Sequence, residues 1–75
     1  MNKSRRATLT MIANAMEELK SRLETVRDEE QDAFDNMPES LQESERGEAM
    51  QEAIDNMEYA MDSLEEAVDY LNEVF

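Results

Sequence analysis

Carboxylates are the side chains with the most chemistry to offer in this sequence. Twenty Asp and Glu residues stand against seven Lys and Arg residues, which gives a formal charge of −13 at pH 7. Adjacent pairs such as Glu65 and Glu66 suggest acid–base chemistry, but neighbours on a helix point to different faces. The chain has no His and no Cys, so its serines have no base to activate them. We therefore expect no enzymatic activity.

Divalent metal binding is the second chemistry that clustered carboxylates offer. Five acids gather near the end of the first predicted helix: Asp28, Glu29, Glu30, Asp32 and Asp35. A calcium loop needs ligands on a turning backbone with a glycine at the bend, and a dinuclear carboxylate bundle uses Glu-x-x-His motifs. Neither pattern is present, so the sequence predicts a solvated helix end, with no metal and no cofactor. A metal-responsive helix pair is kept as a weaker alternative.

A long anionic surface in the second half of the chain is the third possibility. No Lys or Arg occurs from Gly47 to Phe75, and nine acids lie there: Glu48, Glu52, Asp55, Glu58, Asp62, Glu65, Glu66, Asp69 and Glu73. At the rise of an α-helix these charges recur about every 4 Å, close to the ~3.4 Å spacing of phosphates along one DNA strand. One interpretation of this spacing is imitation of nucleic-acid charge. The alternative is that the acids only keep a helical bundle soluble.

Two tyrosines fall among these acids, outside the apolar seam described below. Tyrosine is enriched where proteins bind one another, although it also lies along helix surfaces and covers its neighbours. We therefore predict a partner-binding acidic face made of Glu52, Asp55, Glu58, Tyr59, Asp62, Glu65, Glu66, Asp69, Tyr70 and Glu73.

Heptad spacing of apolar residues predicts the helices that carry these side chains. The first seam is Leu9, Ile12, Met16, Leu19, Leu23 and Val26, and the second is Met50, Ile54, Met57, Met61, Leu64, Val68, Leu71 and Phe75. Alternating steps of three and four are typical of coiled-coil seams. We predict an all-α antiparallel two-helix hairpin in one domain, residues 1–75. Helix 1 covers about 4–36, the connection about 37–44, and helix 2 about 45–74.

The connection contains unusual residues for a turn. Pro38 disfavours helical geometry at Met37 and so ends helix 1. Helix 2 has two candidate starts, a capping box at Ser40 and an N-cap at Ser44, while Ser4 is the candidate N-cap of helix 1.

We predict that Phe34, Met37 and Leu41 form a small apolar plug that fixes the hairpin register together with Pro38. For two residues, Glu30 and Gly47, the sequence offers no folding reason. Glu30 falls on the apolar seam, where it is either wet or bound to the connection or to Arg46. Gly47 lies inside a helix, where glycine lowers stability by about 1 kcal/mol relative to alanine.

Flanking charges predict the register and the assembly. Placing Arg27 beside Glu58 also places Lys20 beside Glu65. Ala53, Ala60, Ala67 and Val74 form a small-residue stripe that widens the apolar surface, and a core of this size needs oligomerisation. We expect a homodimer that forms a four-helix bundle. A monomer that uses the stripe for another protein is the alternative.

The acidic balance and the hydropathy pattern also bear on partners and location. A chain of this charge favours a basic protein and repels nucleic acid and anionic membranes. No apolar run approaches the roughly 18 residues of a transmembrane helix. The start has a short apolar part interrupted by Thr8, Thr10 and Asn14, unlike a secretory signal. We expect a cytoplasmic protein.

The run from Asp28 to Val74 carries a Glu-Glu-Gln sequence, an Asn-x-Pro-Glu-Ser-Leu-Gln sequence and a heptad tail. In these features it resembles small acidic proteins of bacterial genomes and of phage or mobile elements. The resemblance implies an accessory protein, and a phage context favours an inhibitor of a host nucleic-acid enzyme. The resulting hypothesis is a non-enzymatic acidic protein-binding module that imitates nucleic acid. The alternative is a structural self-assembling bundle with a solubilising surface.

Overall fold

A computed structural model of the chain describes residues 1–74 and shows an all-α hairpin. The elements are α1 (Lys3–Asp35), a single turn α2 (Glu39–Gln42) and α3 (Glu45–Asn72). Helices α1 and α3 pack against each other along a molecule of 58 × 15 × 12 Å, and no strand occurs in residues 1–74. The predicted all-α hairpin is confirmed. The predicted seam position of Phe75 lies outside the described residues.

The core is small and centres on one row of α3. Ile54, Met61 and Val68 are buried, and Ala13 is the buried residue of α1. These residues recur every seven positions on α3, which keeps one stripe facing α1. Within residues 1–74, four buried apolar side chains form a small core for a chain of this length.

The contact face of α1 is rotated from the predicted seam. Ile12, Leu19 and Val26 were expected in the seam, but they are 44%, 51% and 51% exposed. The row with Ala13, Lys20, Arg27 and Phe34 turns toward α3 instead, alternating with Leu9, Met16 and Leu23. The reason is that Ala13 lets α3 approach closely, while the aliphatic parts of Lys20 and Arg27 cover the core and their charged ends reach α3. The a/d expectation was therefore wrong for half of the α1 seam.

The first helix is capped by Asn2 and not by Ser4. The Asn2 side-chain oxygen accepts a hydrogen bond from the Arg5 backbone N–H at 2.8 Å, and Asn2 has extended backbone angles. Ser4 lies within the first turn. An asparagine at this place satisfies a helix donor as well as serine does, and the predicted N-cap at Ser4 was wrong.

The connection contains the extra turn α2. Helix α1 ends at Asp35, and the Asn36 N–H donates to the Asp32 carbonyl at 3.0 Å. Pro38 then precedes α2, which has no side-chain capping hydrogen bond. The predicted capping box at Ser40 was therefore wrong. Ser44 starts α3: its hydroxyl accepts from the Gly47 N–H at 3.4 Å and donates to the Leu41 carbonyl.

We expect Ser44→Ala to lower the free energy of unfolding by about 1 kcal/mol, the usual effect of losing an N-cap. Ser40→Ala is the matched control, because Ser40 is exposed and the turn that contains it has no side-chain cap. Urea unfolding followed by circular dichroism measures both. Equal losses in the two variants would show that Ser44 does not cap α3.

The residues of the predicted plug differ in their exposure. Phe34 and Met37 are half-buried, whereas Leu41 is 47% exposed. Gln42 provides the link that sequence reasoning missed. Its side-chain N–H donates to the Phe34 carbonyl at 2.9 Å in a partly buried position. A hydrogen bond therefore ties the connection to the end of α1.

Candidate protein-binding surfaces

The nine acids from Glu48 to Glu73, which lie on α3 and its C-cap residue, are all exposed. They occupy three neighbouring columns of the helix, with Asp55, Asp62 and Asp69 seven residues apart in the middle column. Glu58 and Glu65 form the column nearest α1, and Glu52, Glu66 and Glu73 form the outermost one. The remaining acid, Glu48, begins the middle column in the first turn, where a negative charge suits the helix dipole. We call this set the acidic face.

Two ion pairs join the inner edge of the acidic face to α1. Lys20 Nζ lies 3.0 Å from Glu65 Oε2, and Arg27 Nη1 lies 3.2 Å from Glu58 Oε1. Both pairs were predicted from the heptad positions, and both are confirmed. Arg27 also contacts Asp28 at 2.8 Å through Nε. The other seven acids of α3 have no cation within ion-pair distance in residues 1–74.

These ion pairs raise the pKa values of Lys20 and Arg27. The hydrogen bond that Lys20 donates to Glu65 is the largest influence on its pKa and raises it. The pKa of Arg27 is raised chiefly by its hydrogen bond to Asp28, with Glu58 adding to the effect. A base with a raised folded-state pKa stabilises the fold below its unfolded-state pKa, and this contribution is lost as the pH rises through the folded-state value. Lys20 therefore stays charged at neutral pH, and the stabilisation from its raised pKa is lost as it deprotonates in strongly alkaline solution.

We expect the Lys20–Glu65 pair to be exchangeable. Lys20→Glu and Glu65→Lys should each lower the melting temperature slightly, because each places like charges at this crossing, and the double variant should recover most of the loss. This pair is a cleaner test than Arg27–Glu58, since Arg27 has a second partner in Asp28. Thermal denaturation of the four proteins at one concentration measures the coupling. Strictly additive losses in the double variant would contradict this register.

Tyr59 and Tyr70 are the most exposed aromatic side chains of the described chain, at 67% and 64%. Tyr59 stands in the outer acidic column between Glu52 and Glu66. Tyr70 stands one column further round, and its hydroxyl donates to Glu66 at 3.3 Å. The predicted binding residues from Glu52 to Glu73 therefore form one continuous surface, with a tyrosine near its middle and another near its C-terminal end.

The opposite side of the hairpin is apolar. On α1 it carries the aliphatic stripe, Ile12, Leu19 and Val26, and on α3 the alanine stripe, Ala53, Ala60 and Ala67. Because the ion pairs place Lys20 level with Glu65, Leu19 lies level with Ala67 and Val26 level with Ala60. Val74 extends the α3 side and is 42% exposed. The hairpin thus separates acidic and apolar surfaces onto different sides.

The structure explains Gly47 but gives Glu30 no partner among residues 1–74. Glu30 is half-buried on the α1 row that faces α3, and neither a salt bridge nor a side-chain hydrogen bond engages it within residues 1–74. Arg46 was predicted as a possible partner of Glu30, but it takes part in none of the three ion pairs of residues 1–74. Gly47 is buried where α3 begins. A Cβ placed on it would overlap the Gln42 carbonyl and lie 2.6 Å from the Leu41 carbonyl oxygen.

The role of Gly47 is therefore steric. Its φ is not positive, so the backbone conformation would accept any residue. What requires glycine is the close approach of the α2 carbonyls to the first turn of α3. The requirement for glycine at this position therefore comes from the packing of the connection.

The described residues show neither a metal-binding cluster nor a membrane-spanning helix. In residues 1–74 no three acidic side chains converge to hold a metal ion. No helix in that range combines the length and apolarity that crossing a membrane requires. Comparison with known proteins gives no match among family models, curated proteins or solved structures. The resemblance to small acidic phage and bacterial proteins therefore stays a prediction.

Proposed function

We propose that this protein is a non-enzymatic binding module whose acidic face docks on a basic protein in place of nucleic acid. The observation that carries the proposal is the row of exposed acids on α3, of which, among residues 1–74, only Glu58 and Glu65 are neutralised by α1. A row of uncompensated charge weakens a helix through like-charge neighbours. Folding gains nothing from it, whereas a basic groove would.

The exposed tyrosines give this surface more than charge. An aromatic ring with a polar end contributes contact area at low entropic cost, and such residues often anchor interfaces. Tyr59 lies inside the acidic face and Tyr70 at its edge. A purely solubilising surface has no use for large exposed rings. We propose that the partner has apolar pockets between its basic residues, as proteins that stack nucleic-acid bases do.

Capture from a cytoplasmic extract tests the proposal. The protein is immobilised through its N-terminus, and bound material is eluted first with double-stranded DNA and then with high salt. We expect at least one basic nucleic-acid-binding protein to be released by DNA, because both ligands compete for one groove. Recovery of no such protein at low salt would contradict the proposal. A scrambled acidic peptide of equal charge serves as the control for non-specific attraction.

A structural self-assembling bundle is the second candidate function. It is favoured by the aliphatic stripe, since Ile12, Leu19 and Val26 are about half exposed in the single chain. In that case the acids serve solubility alone, and the capture experiment recovers only the chain itself. Self-association and acidic binding are compatible, and we propose a homodimer that displays an acidic face on each outer side.

A further inference from the structure

We infer that the apolar side binds a second copy of the chain with the aliphatic stripe of each copy on the alanine stripe of the other. This inference deepens the proposed homodimer and rests on it. The two hairpins lie side by side with their connections at the same end, related by a twofold axis along the bundle. The contact forms a four-helix bundle in which every helix is antiparallel to both of its neighbours.

The exposed area of the single hairpin is large enough for a second copy of the chain to bind it. The chain exposes 5628 Å², whereas a compact monomer of its 8.7 kDa mass exposes about 4,700 Å² by the usual size relation. The excess is about 900 Å². A stable protein–protein interface removes about 800 Å² from each partner. One interface with a second copy therefore brings the chain to the exposure of an ordinary compact protein.

Charge decides which side a second copy can approach. Each copy carries a charge of −13, so acidic faces repel one another and a basic partner is drawn to them. The alanine stripe is flanked by the uncharged Asn56 and Ser63, and the aliphatic stripe by Arg22 and Glu29, whose charges cancel. The apolar side is thus the surface on which two such anionic chains can meet.

Side-chain size decides the arrangement. A twofold rotation about an axis along the bundle does not change the position of a residue along that axis. Leu19 of one copy therefore faces Ala67 of the other, and Val26 faces Ala60. Large residues then fill the space left by alanines, as close packing requires. With the axis across the bundle, the aliphatic stripes of the two copies instead meet each other, and the alanine stripes meet each other. That arrangement crowds the half of the interface formed by the aliphatic stripes and leaves the half formed by the alanine stripes poorly packed.

Disulfide trapping distinguishes these arrangements, because the natural chain has no cysteine. Leu19→Cys and Ala67→Cys proteins, one carrying a mass tag, are oxidised separately and then as a refolded equimolar mixture. We expect the mixed disulfide as the main product, with little disulfide from either variant alone. Asp62→Cys on the acidic face, mixed with either variant, should give no covalent dimer.

Two outcomes overturn the inference. A dominant Leu19→Cys homodisulfide would place the twofold axis across the bundle, and absence of any interchain disulfide would remove this interface. Sedimentation equilibrium of the wild-type chain separates this failure from that of the homodimer: a monomer at micromolar concentration contradicts both, whereas a dimer without the mixed disulfide contradicts only the arrangement. Neither measurement involves the basic partner, so acidic-face binding is judged independently.

Discussion

Gly47→Ala is expected to lower the free energy of unfolding by about 1–3 kcal/mol, the range seen when extra atoms are forced into a packed site. In an ordinary helix interior the same change raises stability by about 1 kcal/mol, because alanine has the higher helix propensity. The sign is reversed here because the new methyl group would overlap the Gln42 carbonyl and crowd that of Leu41. Backbone atoms cannot rotate away as a flexible side chain can.

Urea unfolding monitored by circular dichroism measures this effect at a fixed protein concentration, because the stability of the proposed dimer would depend on concentration. Glu48→Ala is the matched control: it changes the next residue of the same turn, and Glu48 is exposed. We expect that control to stay within about 0.5 kcal/mol of the natural chain, as exposed substitutions usually do. A Gly47→Ala protein more stable than the natural one would mean that α2 does not pack against α3 as described.

Neutralising the middle column of the acidic face is expected to weaken partner binding at least tenfold. The variant Asp55→Asn, Asp62→Asn and Asp69→Asn keeps the size of each side chain and removes three charges. A tenfold loss requires about 1.4 kcal/mol in total, a modest demand on three contacts between charged surfaces. Because all three residues are exposed and unpaired within residues 1–74, the fold should be unaffected.

The control for this variant removes the same number of charges elsewhere. Glu17→Gln, Glu18→Gln and Asp32→Asn lie on exposed positions of α1 and change the net charge equally. Binding of both triple variants to the basic protein recovered by capture is measured by titration calorimetry at low salt. Equal losses would show that only net charge matters and that α3 offers no specific surface.

The hairpin and its register were predictable because they depend on patterns that the chain carries along its length. Heptad steps set the two helices, and the charges at Lys20 and Arg27 match those at Glu65 and Glu58 in only one antiparallel alignment. Such long-range regularity survives errors in helix ends. The same reasoning placed the exposed tyrosines outside the seam.

The rotation of α1 and the connection were not predictable in the same way. The sequence pattern alone does not show that Ala13 and the stems of Lys20 and Arg27 would be preferred to Leu19 and Val26 against α3. The role of Gly47 depends on carbonyls five and six residues earlier, and that of Gln42 on a carbonyl eight residues earlier. These contacts exist only once the short turn α2 has formed, and no heptad encodes it.

The acidic face remains a site proposed from charge and exposure, without a ligand pattern of its own. Its acids follow the sequence prediction because exposed polar columns are fixed once the apolar row is known. What distinguishes binding from solubility is therefore not geometry but response to salt.

The affinity of the natural chain for its basic partner, measured from about 50 to 200 mM salt, tests the central claim most directly. If α3 occupies a groove built for phosphates, affinity should fall steeply over this range, by tenfold or more, and double-stranded DNA should compete. An affinity that does not change with salt, or that survives neutralisation of Asp55, Asp62 and Asp69, would contradict the claim that the acidic face imitates nucleic acid.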